Sequence, residues 1–203
     1  MNNIIIIGSG GHAISCIEVI EAQNKYEILG LVTEKLFDQN DKFNYPFIGK
    51  DVDLEKLLKK TNNAFIGLGF IKDPFNRIRL FNRLKTIGFN LPIIVSPTSY
   101  KSANSSLDDG TILMHRSFIN SQVVIGKNCI INTASIIEHD TIIGDNVHVS
   151  TAAVINGGVE IGSGSFIGSN SVIKQGVKIG ENCIISAGSF LRKDLKSGTV
   201  FYK

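Results

Sequence analysis

From residue 125 onward a branched aliphatic recurs every six residues without a gap. The series is Ile125, Ile131, Ile137, Ile143, Val149, Ile155, Ile161, Ile167, Ile173, Ile179, Ile185 and Leu191, and Ile119, Leu113 and Leu107 carry the same phase backwards. Four residues after each anchor stands a small or β-branched residue, as at Cys129, Ser135, Thr141 and Cys183, and glycine often follows the anchor directly. A period of six fits neither a 3.6-residue helix nor simple strand alternation. It fits a short strand and a turn, repeated, with every anchor pointing inward. Three hexapeptides then close a triangular coil of about 18 residues, and coils stack about 4.8 Å apart through backbone hydrogen bonds. Residues 107–196 supply five such coils. A prism of this kind has flat faces and open ends, so self-association is expected.

The first half follows a different rule. Ile4–Ile7 is a buried-strand run that meets Gly8-Ser9-Gly10-Gly11-His12 at once, and an amphipathic helix then carries Ala13, Cys16, Ile17 and Ile20. Strand, glycine turn and helix open a mononucleotide-binding unit, in which backbone N–H groups at the helix start can face a phosphate. A second strand, Ile28–Val32, ends at Thr33-Glu34, near the position from which a ribose is held. Pro46–Gly49 reads as a turn, Asp53–Lys60 as a helix, Ala64–Leu68 as a strand running into Gly69, and Asn76–Ile87 as a helix. A fourth strand, Pro92–Val95, leads into the breaker Ser96-Pro97-Thr98. The fold class predicted is α/β plus an all-β solenoid: a small Rossmann-like parallel α/β domain over residues 1–96, then a parallel β-helix over residues 97–203.

Composition narrows the partners. The net charge of +3 comes from 21 Lys+Arg against 18 Asp+Glu, without a basic stripe, which argues against nucleic acid. The longest early apolar run is far too short to span a bilayer, and the start lacks the basic region of a secretory signal. Cys16, Cys129 and Cys183 form neither a disulfide framework nor a CxxC site, which points to a reduced cytoplasm, and the latter two fall on inward positions. Arg77, Arg79 and Arg83 read as a solvated helix face from which one side chain can reach a phosphate.

Of four histidines, His139 stands out, because Glu138-His139-Asp140 places an imidazole between two carboxylates in an otherwise uncharged repeat. A carboxylate on one ring nitrogen fixes the tautomer and makes the other nitrogen a better base. His148 follows half a coil later, on another wall. A three-histidine zinc site from His115, His139 and His148 lacks suitable spacing, so no metal is expected.

These motifs resemble the PglD/NeuD-type bacterial sugar acyltransferases over nearly the whole chain. The matching stretches are IIIIGSGGHA, Pro46-Phe47-Ile48-Gly49, Gly67-Leu68-Gly69 before Asn76-Arg77, and above all NTASIIEHDTIIGDNVHVS from Asn132 to Ser150. The resemblance implies a left-handed β-helix, a homotrimer, and acetyl-CoA as acyl donor bound between neighbouring helices. It implies acetyl transfer to the amino group of a nucleotide-linked amino sugar, such as a UDP-amino sugar, or alternatively to a hydroxyl of sialic acid or another sugar. By motif position His139 falls on the catalytic base and Asp140 on its carboxylate partner. Gly10, Gly11, His12, Thr33, Glu34, Gly69 and Asn132 fall on the substrate side, His148 and Gly157 on the acyl-donor side. The family often has Ile-His-Pro where this chain has Val95-Ser96-Pro97, and a Gly-x-Pro-Ala tail where it has Gly198–Lys203.

Overall fold

A computed structural model of the chain describes residues 2–34 and 44–202. Its first part is a four-stranded parallel sheet in the order β3-β2-β1-β4, with β1 at Asn2–Ile7, β2 at Tyr26–Val32, β3 at Phe47–Gly49 and β4 at Ala64–Ile66. Helix α1, Gly11–Gln23, follows β1 directly. A 3₁₀ turn at Asp51–Asp53 runs into the one-turn helix α2, Leu54–Leu57, and α3 spans Phe75–Ile87. The strand order reverses between β1 and β4, and α/β sheets of this kind bind ligands at that crevice.

Three expectations are corrected here. Phe47–Gly49 is not a turn but the edge strand of the sheet, pairing with Leu31 and Val32. Gly30 makes this close approach possible, since a Cβ there would lie 2.4 Å from the Pro46 carbonyl oxygen. Ile94–Val95 is not a fourth α/β strand. It pairs with Ile112–Leu113 and so begins the solenoid. The helix expected over Asp53–Lys60 is also shorter, because Leu58 closes α2 and the chain turns at Lys59–Lys60.

The solenoid is a parallel β-helix of two-residue strands stacked into three walls of seven, six and five strands among the described residues. Register advances by one coil per strand, as Ile130↔His148, His148↔Phe166 and Phe166↔Ile184. The second residue of each strand points inward, and the anchors from Ile119 to Leu191 are at most 3% exposed. They form one continuous core with Cys129, Val147, Ala153, Val159, Val177 and Cys183. The stack runs further at both ends than the aliphatic repeat suggests, since Tyr100–Lys101 pairs with Phe118–Ile119 and Val200–Phe201 with Ile184–Ile185. Lys101 takes an anchor position in this added coil, and its Nζ donates to the Ser102 and Ser105 carbonyls instead of packing as an aliphatic.

A second periodic feature makes the corners. From Gly110 to Gly188 a residue with positive φ occurs at every sixth position, among them Asn128, Asp140, Asn146, Gly158, Asn170 and Asn182. Such backbone suits Gly and, through their short polar side chains, Asn and Asp.

The two parts share a core. Cys16, Ile17, Val19 and Ile20 of α1 pack with the outward residues Ile94, Ile112 and Ile130 of the seven-stranded wall, all buried. That wall takes the place a further strand of the α/β sheet would occupy. Lys85 Nζ also meets Asp109 at 2.8 Å across the junction.

Candidate active site

Two groups of predicted site residues emerge, at separate places on the chain. The first surrounds a cleft of about 1170 Å³ at the carboxyl ends of β1, β2 and β4. Gly10, Gly11 and His12 line it from the start of α1, Thr33 and Glu34 from the end of β2, Gly69 from the loop after β4, and Asn132 and His148 from the solenoid. The first turn of α1 carries no acidic residue, and Gly10 supplies no side-chain cap, so its amide dipoles face the cleft. No heavy atom stands within 4 Å of a Cβ built at Gly10 or Gly11, which leaves both backbones open to a ligand.

Hydrogen bonds fix the polar rim. Ser9 Oγ donates to Thr33 Oγ1 at 3.1 Å, and the Asp51 N–H donates to Glu34 Oε1 at 3.1 Å. Asp51, Asn76, Arg79 and Phe70 also line the cleft. The sequence places Arg79 on a helix face that can reach a phosphate and Asn76 in the stretch after Gly67-Leu68-Gly69, but gives no signal that Asp51 and Phe70 join them. Arg79 and Arg83 lie 3.9 Å from the Asp51 carboxylate and are part-exposed, as expected of a solvated face. Arg77 departs from that expectation. It is 1% exposed, and its guanidinium donates to the carbonyls of Ile66, Leu68, Asn128 and Gly110.

His148 is held by a chain of bonds. Its Nδ1–H donates to the Phe70 carbonyl at 2.7 Å, which leaves Nε2 bare to accept from Asn132 Nδ2 at 3.2 Å. Asn132 Oδ1 in turn accepts the Thr133 N–H at 2.8 Å. The ring stands edge-on to Phe70 and Phe166, and 6.3 Å from that of His12. Burial first, and then Arg77, lowers the His12 pKa to about 3. Burial, against the Phe70 bond and with Arg77, lowers that of His148 to about 4.

Both imidazoles therefore stay neutral in the fold below pH 6.5, where the unfolded chain takes up protons, so stability is lost as pH falls from about 6.5 towards about 4. For His148 the slope is about 1.4 kcal/mol per pH unit at its steepest. Denaturant unfolding of wild type and His148→Gln between pH 7 and 4 measures this. A variant as acid-sensitive as wild type would contradict it.

The second group lies at the corner between the six- and five-stranded walls. His139 Nδ1 and Asp140 Oδ2 are 2.7 Å apart, so the carboxylate accepts the Nδ1 proton and Nε2 is left as a base. The side chains are 54% and 64% exposed, so this base is reachable from outside the chain. Glu138 does not flank the ring as a second partner, because its Oε2 accepts from Asn120 Nδ2. Gly157 lies one coil further on, directly against the imidazole: a Cβ there would meet Cε1 at 2.6 Å and Nε2 at 2.7 Å. The Gly158 N–H ties the two coils by donating to the His139 carbonyl at 2.8 Å, and no acceptor for the Gly157 N–H occurs among the described residues.

The structure thus joins His139, Asp140 and Gly157, and separately joins His148 with His12 and Asn132. His115 is elsewhere, its Nδ1 2.7 Å from Ser96 Oγ. No three His, Cys, Asp or Glu side chains gather among the described residues in a way that could hold a metal ion. No helix among them is long and apolar enough to cross a membrane.

The family description "PglD N-terminal domain" matches residues 3–84, and "Bacterial transferase hexapeptide (six repeats)" matches residues 140–175 and 158–193. Both parts of the chain therefore resemble the PglD/NeuD-type acyltransferases. Among solved structures of this type it is similar to PerB, the GDP-perosamine N-acetyltransferase of Caulobacter crescentus, solved in complex with CoA and GDP-perosamine. Identity is 28%, with a TM-score of 0.90 over 98% of this chain and 93% of that one. The acetyltransferase domain of PglB from Neisseria gonorrhoeae has the same fold, with 24% identity, a TM-score of 0.91, and 98% and 96% of the two chains covered. WeeI from Acinetobacter baumannii shares it at 21% identity and a TM-score of 0.81, over 98% and 96% of the chains. No curated protein matches the sequence. With these structures it shares a left-handed parallel β-helix behind a parallel α/β domain.

Proposed function

We propose that this protein transfers the acetyl group of acetyl-CoA to the amino group of a nucleotide-linked amino sugar, with His139 as general base. The observation that carries this is the exposed His139–Asp140 pair with the Gly157 backbone against its ring. PerB, the relative at 28% identity, was solved with CoA and a GDP-linked amino sugar, which supports the same pairing of substrates here.

In this reading Nε2 of His139 takes a proton from the sugar amine as its nitrogen bonds to the thioester carbonyl carbon. Asp140 stabilises the imidazolium that results. The Gly157 N–H faces the oxyanion; one such donor is typically worth about 3 kcal/mol. As the carbon–sulfur bond breaks, the departing thiolate takes the proton from His139 and restores the base. The nucleotide lies in the cleft, its diphosphate over Gly10 and Gly11 and its ribose near Thr33 and Glu34, with His12, Gly69 and Asn132 around the sugar. His148 sits where this site meets the acyl donor. The reaction belongs in the cytoplasm, in keeping with three buried free cysteines.

Assembly completes the site. The six-stranded wall carries the outward row Tyr100, Phe118, Ile136, Val154, Val172 and Phe190, with Tyr100 and Phe190 about half exposed. Tyr100 stacks on Phe118 at 4.9 Å, and Arg192 lies over Phe190 rather than free at the surface. An apolar row of this length calls for a partner. One of its two edges carries Asn132 and the other His139. A three-fold ring with this wall turned to the axis sets the His139 edge of each copy against the Asn132 edge of the next, so the base reaches a neighbour's cleft.

The test is CoA release from acetyl-CoA with UDP-, dTDP- and GDP-linked amino sugars and their hydroxyl counterparts, with sedimentation equilibrium on the same sample. Turnover with one amino sugar by a trimer is expected. Acetylation of the hydroxyl compounds alone, or no CoA release with any acceptor, would overturn the reading.

A further inference from the structure

Arg77 is the largest fully buried side chain among the described residues, and it is charged. Burial lowers its pKa only to about 10, so it stays a cation at neutral pH. Among the described residues no carboxylate pairs with it; its partners are four carbonyl oxygens. A buried charge without a counter-charge is costly, and an ordinary packing role would be filled more cheaply by an apolar residue. Its position tells what the charge faces. Two of its acceptors, Ile66 and Leu68, bracket Gly67 at the carboxyl end of β4, and Gly67 and Leu68 line the cleft. The guanidinium therefore lies just behind the wall of the site.

The lining itself is poorly suited to an anion. It holds two carboxylates, Glu34 and Asp51, against one guanidinium, Arg79, and that guanidinium lies 3.9 Å from the Asp51 carboxylate. Its two histidines are neutral. Apart from Arg79, only the backbone amides at the start of α1 favour a diphosphate from within the lining, and they carry partial charges rather than a full one.

We propose that Arg77 supplies, through the cleft wall and without touching the ligand, the positive charge that the nucleotide's diphosphate requires. This rests on the cleft being the nucleotide site. The missing counter-charge of the buried guanidinium is then the substrate, and the four carbonyls hold the cation at a fixed depth, where solvent screens it little. The contribution of Arg77 to lowering both His12 and His148 accords with a field that reaches the cleft.

The experiment compares binding of UDP and GDP with that of uridine and guanosine, by calorimetry and ligand-observed NMR. The proteins are wild type, Arg77→Lys, Arg77→Met and Arg77→Gln, the last retaining a planar donor for the carbonyls. In the neutral variants the diphosphate should weaken about tenfold or more while the nucleoside changes little, and Arg77→Lys should keep most of the diphosphate affinity. Equal losses for nucleoside and diphosphate, or none, would make Arg77 a clamp between the two domains and overturn the proposal. A measurement on wild type alone guards against variants that do not fold. Affinity should rise from uridine to UMP to UDP, and a flat series overturns the proposal as well. If wild type binds neither UDP nor GDP, the assignment of the cleft is wrong, and this proposal falls with it; normal UDP or GDP binding with a flat variant series sinks this proposal alone.

Discussion

His139→Ala is expected to lower kcat by about 10²–10⁴-fold, the usual contribution of a positioned general base, with the fold and assembly intact. The expectation follows from location. The ring is exposed, it packs into none of the hydrophobic cores, and the bond lost is to a similarly exposed Asp140. Thermal unfolding should hardly move, while single-turnover acetyl transfer collapses. The loss should be smaller at high pH, where more of the acceptor amine is already deprotonated. Near-wild-type turnover in the purified variant would remove His139 from the mechanism.

The second large effect comes from adding one carbon. In Gly157→Ala the new Cβ would sit 2.6 Å from Cε1 of His139, closer than real carbon contacts allow. Gly157 does not have a positive φ, so the backbone accepts alanine and the imidazole has to give way. The ring can swing into solvent only by leaving Asp140 and the Gly157 N–H together. Misplacing a reacting group by about 1 Å costs on the order of 10²-fold, and kcat should fall by that much with little change in Tm. Wild-type kcat for Gly157→Ala would mean that the ring does not work from the position described. A large fall in Tm would mean instead that the corner itself is what suffers.

The sequence made the solenoid legible because a period of six has no helical or strand competitor, and the anchors from Ile119 to Leu191 are buried as that period requires. It also made the His139–Asp140 pair legible, because the two residues are adjacent and the contact is local. What it hid depends on long-range packing. His12 and His148 meet only because α1 docks on the seven-stranded wall, which no local pattern announces. Ile94–Val95 looks like any short buried strand, and only its pairing partner tells which sheet it joins. Two signals were present and unread. Arg77 shares a helix face with Leu80, Phe81 and Leu84, so its burial follows from 3.6-residue spacing although its charge suggests the opposite. Gly, Asn or Asp stands at most of the six-residue steps that form the left-handed corners, with Arg116, Gln122, Ala134 and Ala152 as exceptions, and Asp140 is one of them.

The packing of α1 on Ile94, Ile112 and Ile130 bears on how such a protein can be taken apart. A solenoid cut free of its first ninety or so residues would present an oily strip along a third of its girth and tend to clump. Exchanging the α/β part for another therefore requires carrying over the underside of that helix as well, because the same few aliphatic side chains close both parts.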